Sequence, residues 1–238
     1  TGNGRTGASV ARSMRINCMR FAGLLLVPAL AAAAPLRAQS VESTIDRAVA
    51  AWAKVTTVRG TFDQTVTNPL TETSATARGD YAQQRPSRLA IRFRQPLTDA
   101  IVADGKAIWI YLPSTAPGQV IKRAATDRAA IPIDLTGQFL DAPRTKYTIT
   151  AAGTRTVDGR ATHALTLVPK AGTSAAFTRA TVWIDDDDSL IREFEETETS
   201  GIVRRIHLTS IELNPAIDRS VFTFVVPAGV KIVDQTKG

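Results

Sequence analysis

Between Arg88 and Arg94 the chain alternates: Leu89, Ile91 and Phe93 fall on one side, Arg88, Arg92 and Arg94 on the other. A period of two is the repeat of an extended strand, here with one oily and one wet face. This strand opens the run Gln84–Pro113, which reads as three consecutive antiparallel strands turning at Gln95-Pro96-Leu97 and Asp104-Gly105-Lys106. Asp-Gly suits a tight hairpin because glycine tolerates positive φ. In the third strand Ala107, Trp109 and Tyr111 lie on one side and Ile108, Ile110 and Leu112 on the other. Both sides are apolar, so that strand is predicted to be central and covered on both faces.

The formal charge of +7 misdescribes the body of the protein. Arg5, Arg12, Arg15, Arg20 and Arg37 lie within the first 38 residues, which hold no acid; the remaining 24 basic residues nearly balance the 22 acidic ones. A basic surface that would grip nucleic acid is therefore not expected. Those same 38 residues contain the single cysteine, Cys18, and both methionines, Met14 and Met19. The body is left without a disulfide or a cysteine-based metal site.

Residues 14–40 have the build of a secretory signal: a positive start over Met14–Arg20, an apolar run from Phe21 to Ala34, then small residues. That run is 14 residues long, short of the roughly 20 that span a bilayer. Cleavage is expected after Ala38, or earlier within Ala31–Ala34. Residues 1–38 are thus expected to be removed, leaving residues 39–238 as one domain. Cys18 precedes the apolar run, where a lipid-modified cysteine would follow it.

Residues 41–55 carry Val41, Ile45, Ala48, Val49, Trp52 and Val55 at helical spacing, with Ser40 placed to cap the N-terminus. Such a helix either packs on the sheet or covers an open cavity from which it can shift; the periodicity fits both. Strands are predicted at 58–67, with Phe62, Gln64 and Val66 on one face, at 72–83, and at 119–124. Residues 125–142 break the pattern with an apolar excursion, Ile131, Ile133, Leu135, Phe139 and Leu140, in which Asp134 is placed to cap a short helix. Strands resume at 147–152, 162–168, 177–185, 190–197, 202–213 and 221–226, with a hairpin at Val157–Arg160. The fold class is mainly β: a single antiparallel sheet of about eleven strands curled into an unclosed half-barrel, with the N-terminal helix and the excursion over it.

Catalytic motifs are missing. The chain has no glycine-rich phosphate loop, no His-Glu-x-x-His and no Gly-x-Ser-x-Gly elbow. His163 and His207 read as ordinary strand residues, and Asp185–Asp188 reads as a turn. No catalytic set, metal site or cofactor is expected, and no polar cluster is legible inside the cavity. Arg88, Arg92 and Arg94 form either a plain solvated face or a dock for an acidic partner.

The body resembles LolA, the family of periplasmic carriers of outer-membrane lipoproteins, over about residues 41–236. The matching pieces are Phe62-Asp63-Gln64, Arg85-Pro86, Asp104-Gly105-Lys106, Ile108 to Pro113, and the ending Val221 to Val230. The resemblance implies an unclosed barrel whose lid covers a cavity for acyl chains. On that basis Phe62, Leu89, Ile91, Phe93 and Trp109 are expected in the cavity. Ile45, Val49 and Trp52, with Ile131, Leu135, Phe139 and Leu140, are expected in the lid. Arg85, the arginine of the Arg-Pro pair, is expected to latch the lid by bonding its backbone.

The implied partners are lipoproteins bound by their acyl anchors, an inner-membrane ATP-binding-cassette release complex and an outer-membrane lipoprotein acceptor, with the carrier a periplasmic monomer. A regulator or sensor domain of the same shape, and a binder or carrier of another lipid, stand as alternatives.

Overall fold

The computed structural model describes Thr1 and residues 33–126 and 134–236, with only the backbone for 33–40. Most of the expected signal segment and Ile131 lie outside the described residues.

Among the described residues, helix α1 (Ala33–Ala53) is followed by six strands: β1 (Thr57–Asn68), β2 (Thr73–Gln84), β3 (Arg88–Gln95), β4 (Ala100–Asp104), β5 (Ala107–Tyr111) and β6 (Gln119–Ala124). Two single-turn helices follow, α2 (Gly137–Leu140) and α3 (Pro143–Lys146). Five more strands come next: β7 (Tyr147–Val157), β8 (Arg160–Pro169), β9 (Phe177–Asp185), β10 (Ile191–Glu198) and β11 (Val203–Leu213). A 3-10 turn at Arg219–Phe222 and strand β12 (Lys231–Gln235) follow.

The twelve strands among the described residues form one sheet in the order β12-β6-β5-β4-β3-β2-β1-β11-β10-β9-β8-β7. β7 and β12 stand at opposite ends, so the sheet does not close. Every pairing is antiparallel except β12 with β6, which is parallel. The β7–β8 hairpin turns on Asp158 and Gly159, at φ 47° and 77°, the left-handed pair that a two-residue turn between twisted strands requires. At Gly60 a side chain is excluded: a Cβ there would sit 2.0 Å from the Ser210 carbonyl oxygen.

The main core lies on the inner face. Ile45, Ala48 and Trp52 of α1 are buried with Phe62, Leu89, Ile108, Leu165, Phe194 and Leu208 of the sheet, and with Phe139 and Leu140 of α2. A smaller cluster occupies the outer face, where Phe222 packs on Ala82, Ala90 and Val102, flanked by Trp109, Val221 and Phe224. β5 is therefore covered on both faces, as its two apolar sides require.

Two expectations are corrected. Ser40 does not cap α1, which begins at Ala33; the alanines, Leu36, Arg37 and Gln39 ahead of Ser40 are strong helix formers that carry the helix through it. Residues 221–226 are not a strand. The alternation of Phe222 and Phe224 with Thr223 records which side is buried against the outer face of the sheet, not a hydrogen-bonded ladder. Arg92 holds this segment there by donating to the Val221 and Thr223 carbonyl oxygens, each at 3.3 Å. The last strand instead forms ten residues later, beside β6.

The arginines of β3 are all engaged on the outer face. Arg94 pairs with Asp80, Arg88 donates to Gln84 at 2.8 Å, and Arg92 holds the C-terminal segment. The basic stripe thus serves pairing within the protein.

Candidate functional site

The inner face of the sheet leaves a cavity of about 720 Å³. Period-two alternation places its walls. β1 contributes Phe62, Gln64 and Val66, β3 contributes Ile91 and Phe93, and Ile101 and Ile110 follow on β4 and β5. Phe194 of β10 and Ile206 of β11 stand on the other wall, and Leu135 and Gln138 enter from the α2 region. Phe62 and Phe93 meet edge to face with ring centroids 5.6 Å apart, a favoured aromatic geometry. An alkyl chain filling this space would touch aromatic and branched carbon on several sides.

Of the five expected cavity residues, the structure places Phe62, Ile91 and Phe93 on the cavity wall. Leu89 faces the same side but is sealed within the core, 1% exposed. Trp109 is a correction: it lies on the outer face, stacked on Phe224 at 5.7 Å, with its indole N–H donating to Asp104 at 3.1 Å. The register explains this. Trp109 pairs with Val102 and Val102 with Ala90, whereas Leu89 runs through Ala103 to Ile108 on the inner face.

The expected lid residues other than Ile131, which lies outside the described residues, sit together over the sheet. Ile45 and Trp52 are buried and Val49 packs against the same core. Leu135, Phe139 and Leu140 are buried too, and Phe139 has its ring 5.1 Å from that of Phe194. Gln138 is fixed further when Tyr147 donates its hydroxyl to the Gln138 carbonyl oxygen at 3.0 Å.

Arg85 joins the two helical pieces to the sheet. Its Nη1 donates to the carbonyl oxygens of Trp52 and Val55, both at 3.0 Å. The Trp52 carbonyl lies in the last turn of α1 and that of Val55 two residues past its end at Ala53, where a cation is favoured by the helix dipole. The Nε of Arg85 lies 3.4 Å from Asp134 Oδ2, and the indole of Trp52 donates to the same oxygen at 3.3 Å. The other oxygen of Asp134 accepts from the Gly137 amide at 2.7 Å, but the cap position of α2 is held by Thr136 and not, as the sequence suggested, by Asp134. Asp134 thus connects α1, α2 and Arg85; its link to Arg85 was not foreseen, because the two are distant in sequence.

The cavity is not uniformly apolar, contrary to the sequence reading. Arg204 of β11 donates to Gln64 at 3.3 Å and to Glu198 at 2.8 Å. Glu196, the register partner of Arg204, is 7% exposed. Its Oε1 is buried without a hydrogen-bond partner among the described residues. Burial pushes its carboxyl up to about 7; Arg204 and Gln138 oppose the rise and Glu198 adds to it. The signal was present in the sequence: Phe194, Glu196 and Glu198 alternate, so two carboxylates had to share the face of Phe194.

Elsewhere the titratable residues serve local structure. His163 faces Asp186, and His207 lies 2.7 Å from Asp158. Asp185, its side chain fully buried, has a carboxyl that burial alone would raise; Arg160, the Asp187 amide and Arg192 hold it down at about 2.

Residues 53–225 match the family described as outer membrane lipoprotein carrier protein LolA. An outer-membrane lipoprotein carrier protein of Methylobacillus flagellatus is 30% identical over 219 residues, which cover 91% of this chain and the whole of that protein. One from Klebsiella pneumoniae is 27% identical over 228 residues, covering 95% of this chain and all of the relative. Among solved structures, an uncharacterized conserved protein from Thermus thermophilus shares the fold, with a TM-score of 0.51 at 12% identity, over 83% of this chain and all of that one.

Proposed function

Since the chain belongs to the LolA family of outer-membrane lipoprotein carrier proteins, we propose that it carries lipoproteins across the periplasm with their acyl chains inside the 720 Å³ cavity. Each methylene left in water costs about 0.8 kcal/mol. A lipid anchor with many methylenes therefore needs an apolar enclosure in transit. The single observation that carries this reading is the cavity itself, walled by Phe62, Ile91 and Phe93 and bounded by Leu135 and Gln138 of the α2 region.

A carrier must also release its cargo. The bonds from Arg85 to α1 and Asp134 stabilise the arrangement in which the helices are seated on the sheet. Entry of acyl chains shifts those helices, so the energy of the seated state is subtracted from the net affinity. In this reading Ile45, Val49, Trp52, Leu135, Phe139 and Leu140 form the lid and Arg85 its latch. The protein binds and delivers without chemistry of its own. It receives cargo from an inner-membrane ATP-binding-cassette release complex and passes it to an outer-membrane acceptor, working as a monomer. Residues 1–38, an upstream segment followed by the export signal that starts at Met14, are removed, and residues 39–238 are the carrier.

The test is mass spectrometry under non-denaturing conditions on the mature protein purified from its native periplasm. Co-purifying acylated lipoproteins are the expected result. A constant free lipid would make it a carrier of that lipid instead, and an empty cavity with one bound protein partner would make it a regulator.

A further inference from the structure

Resting on the carrier reading, we propose that Glu196 is a selectivity residue: a carboxylate on the cavity wall that takes the amide-bearing head of an acylated peptide and turns away lipids with anionic heads. Charge on this wall is unevenly matched. The guanidinium of Arg204 is engaged by Glu198 at 2.8 Å and by Gln64 at 3.3 Å. Asp99, which also lines the cavity, accepts from the Ser114 amide and hydroxyl at 3.1 and 2.5 Å. Glu196 retains an oxygen with no hydrogen-bond partner among the described residues, and it is 7% exposed.

A buried acceptor of this kind is costly until a ligand fills it. The groups that answer it are N–H donors, which the acylated amino terminus of a peptide supplies just beyond its alkyl chains. A fatty-acid carboxylate or a lipid phosphate meets like charge there, beside Glu198, and loses affinity. Gln138 faces Glu196 from α2, so the same carboxyl touches the lid region and a correct head is read next to it. Because burial raises the carboxyl to about 7, the discrimination is strongest above neutral pH.

The experiment compares the intact protein with Glu196→Gln at pH 8.5, by displacement of a fluorescent acyl probe. The competitors are a neutral synthetic lipopeptide with N-acyl and diacylglyceryl groups, and palmitate. Wild type is expected to favour the lipopeptide. The isosteric Glu196→Gln is expected to reduce that preference about tenfold, chiefly through tighter palmitate binding. Arg204→Gln, which adds net negative charge to the wall, is expected to widen it. Thermal unfolding of each variant controls for folding. If Glu196→Gln folds and keeps the wild-type preference, this proposal fails while the carrier reading stands. If wild type binds the lipopeptide no better than palmitate, the proposal also fails alone. A wild-type protein that takes up no acyl ligand overturns both.

Discussion

Arg85 holds Trp52 in two ways: Nη1 donates to the Trp52 carbonyl oxygen at 3.0 Å, and the guanidinium carbon lies 5.6 Å from the indole centroid. One side chain thus binds both the backbone end of α1 and the ring that α1 buries. Arginine is suited to this because its planar fork stays charged and offers several donors at fixed angles.

Arg85→Leu removes both carbonyl bonds and the pairing with Asp134. If the seated helices oppose cargo entry, the variant binds an acylated lipopeptide about tenfold more tightly or better and gives it up more slowly, since charge-assisted bonds contribute about 1.5–3 kcal/mol each. Equilibrium binding and transfer to acceptor vesicles measure the two effects. Faster amide exchange over residues 41–55 should accompany them, and unchanged exchange there would remove Arg85 as the latch.

Phe93 is a half-buried ring on the cavity wall and not a sealed core residue. Phe93→Glu therefore leaves the sheet folded while placing a charge where alkyl chains would lie. Lipopeptide binding should fall by at least about a hundredfold, because an acyl chain cannot compensate a desolvated carboxylate. Circular dichroism separates this from misfolding.

Trp109 supports the outer face by stacking on Phe224 and donating to Asp104. Trp109→Ala should lower stability by about 2–3 kcal/mol and leave acyl-ligand affinity near that of wild type. Denaturant unfolding and probe displacement on one preparation test both halves; a large loss of affinity at retained stability would return Trp109 to the cavity.

Glu196 gives stability a distinctive pH dependence. Its carboxyl is raised from 4.5 to about 7 in the folded protein, so between those values the folded state binds a proton that the unfolded chain has released. Its contribution is then fully favourable below about pH 4.5 and is lost as pH rises through 7. Glu196→Gln should be more stable than wild type at pH 8.5, by on the order of 3 kcal/mol, and the gap should close by pH 4.5. Chemical denaturation at the two pH values reads the difference.

Much of this protein was legible in the order of its residues. Leu89, Ile91 and Phe93 had to share one apolar face, because side chains of an extended chain point to opposite faces, although Ala90 between them is buried on the other face under Phe222. Ile45, Val49 and Trp52 at helical spacing could bury only one stripe. Arg85-Pro86 and the ordered motifs around it carried the family. What local pattern could not supply was which surface each apolar side met. Trp109 and Ile108 are equally apolar neighbours, and only the pairing of Trp109 with Val102 assigns one to the outer face and the other to the inner core. Phe222 and Phe224 alternate like a strand, yet they cover a sheet face and pair with no edge.

The candidate site shows the same division. Its aromatic walls follow from strand alternation, so the sequence determined them. The link of Arg85 to Asp134, the closure of α2 through Phe139 on Phe194, and the buried carboxyl of Glu196 facing Gln138 all join segments far apart in the chain. Those were decided by tertiary structure, because hydrogen bonding, burial and the charge state of a carboxyl depend on neighbours brought together by the curl of the sheet and not on neighbours in sequence.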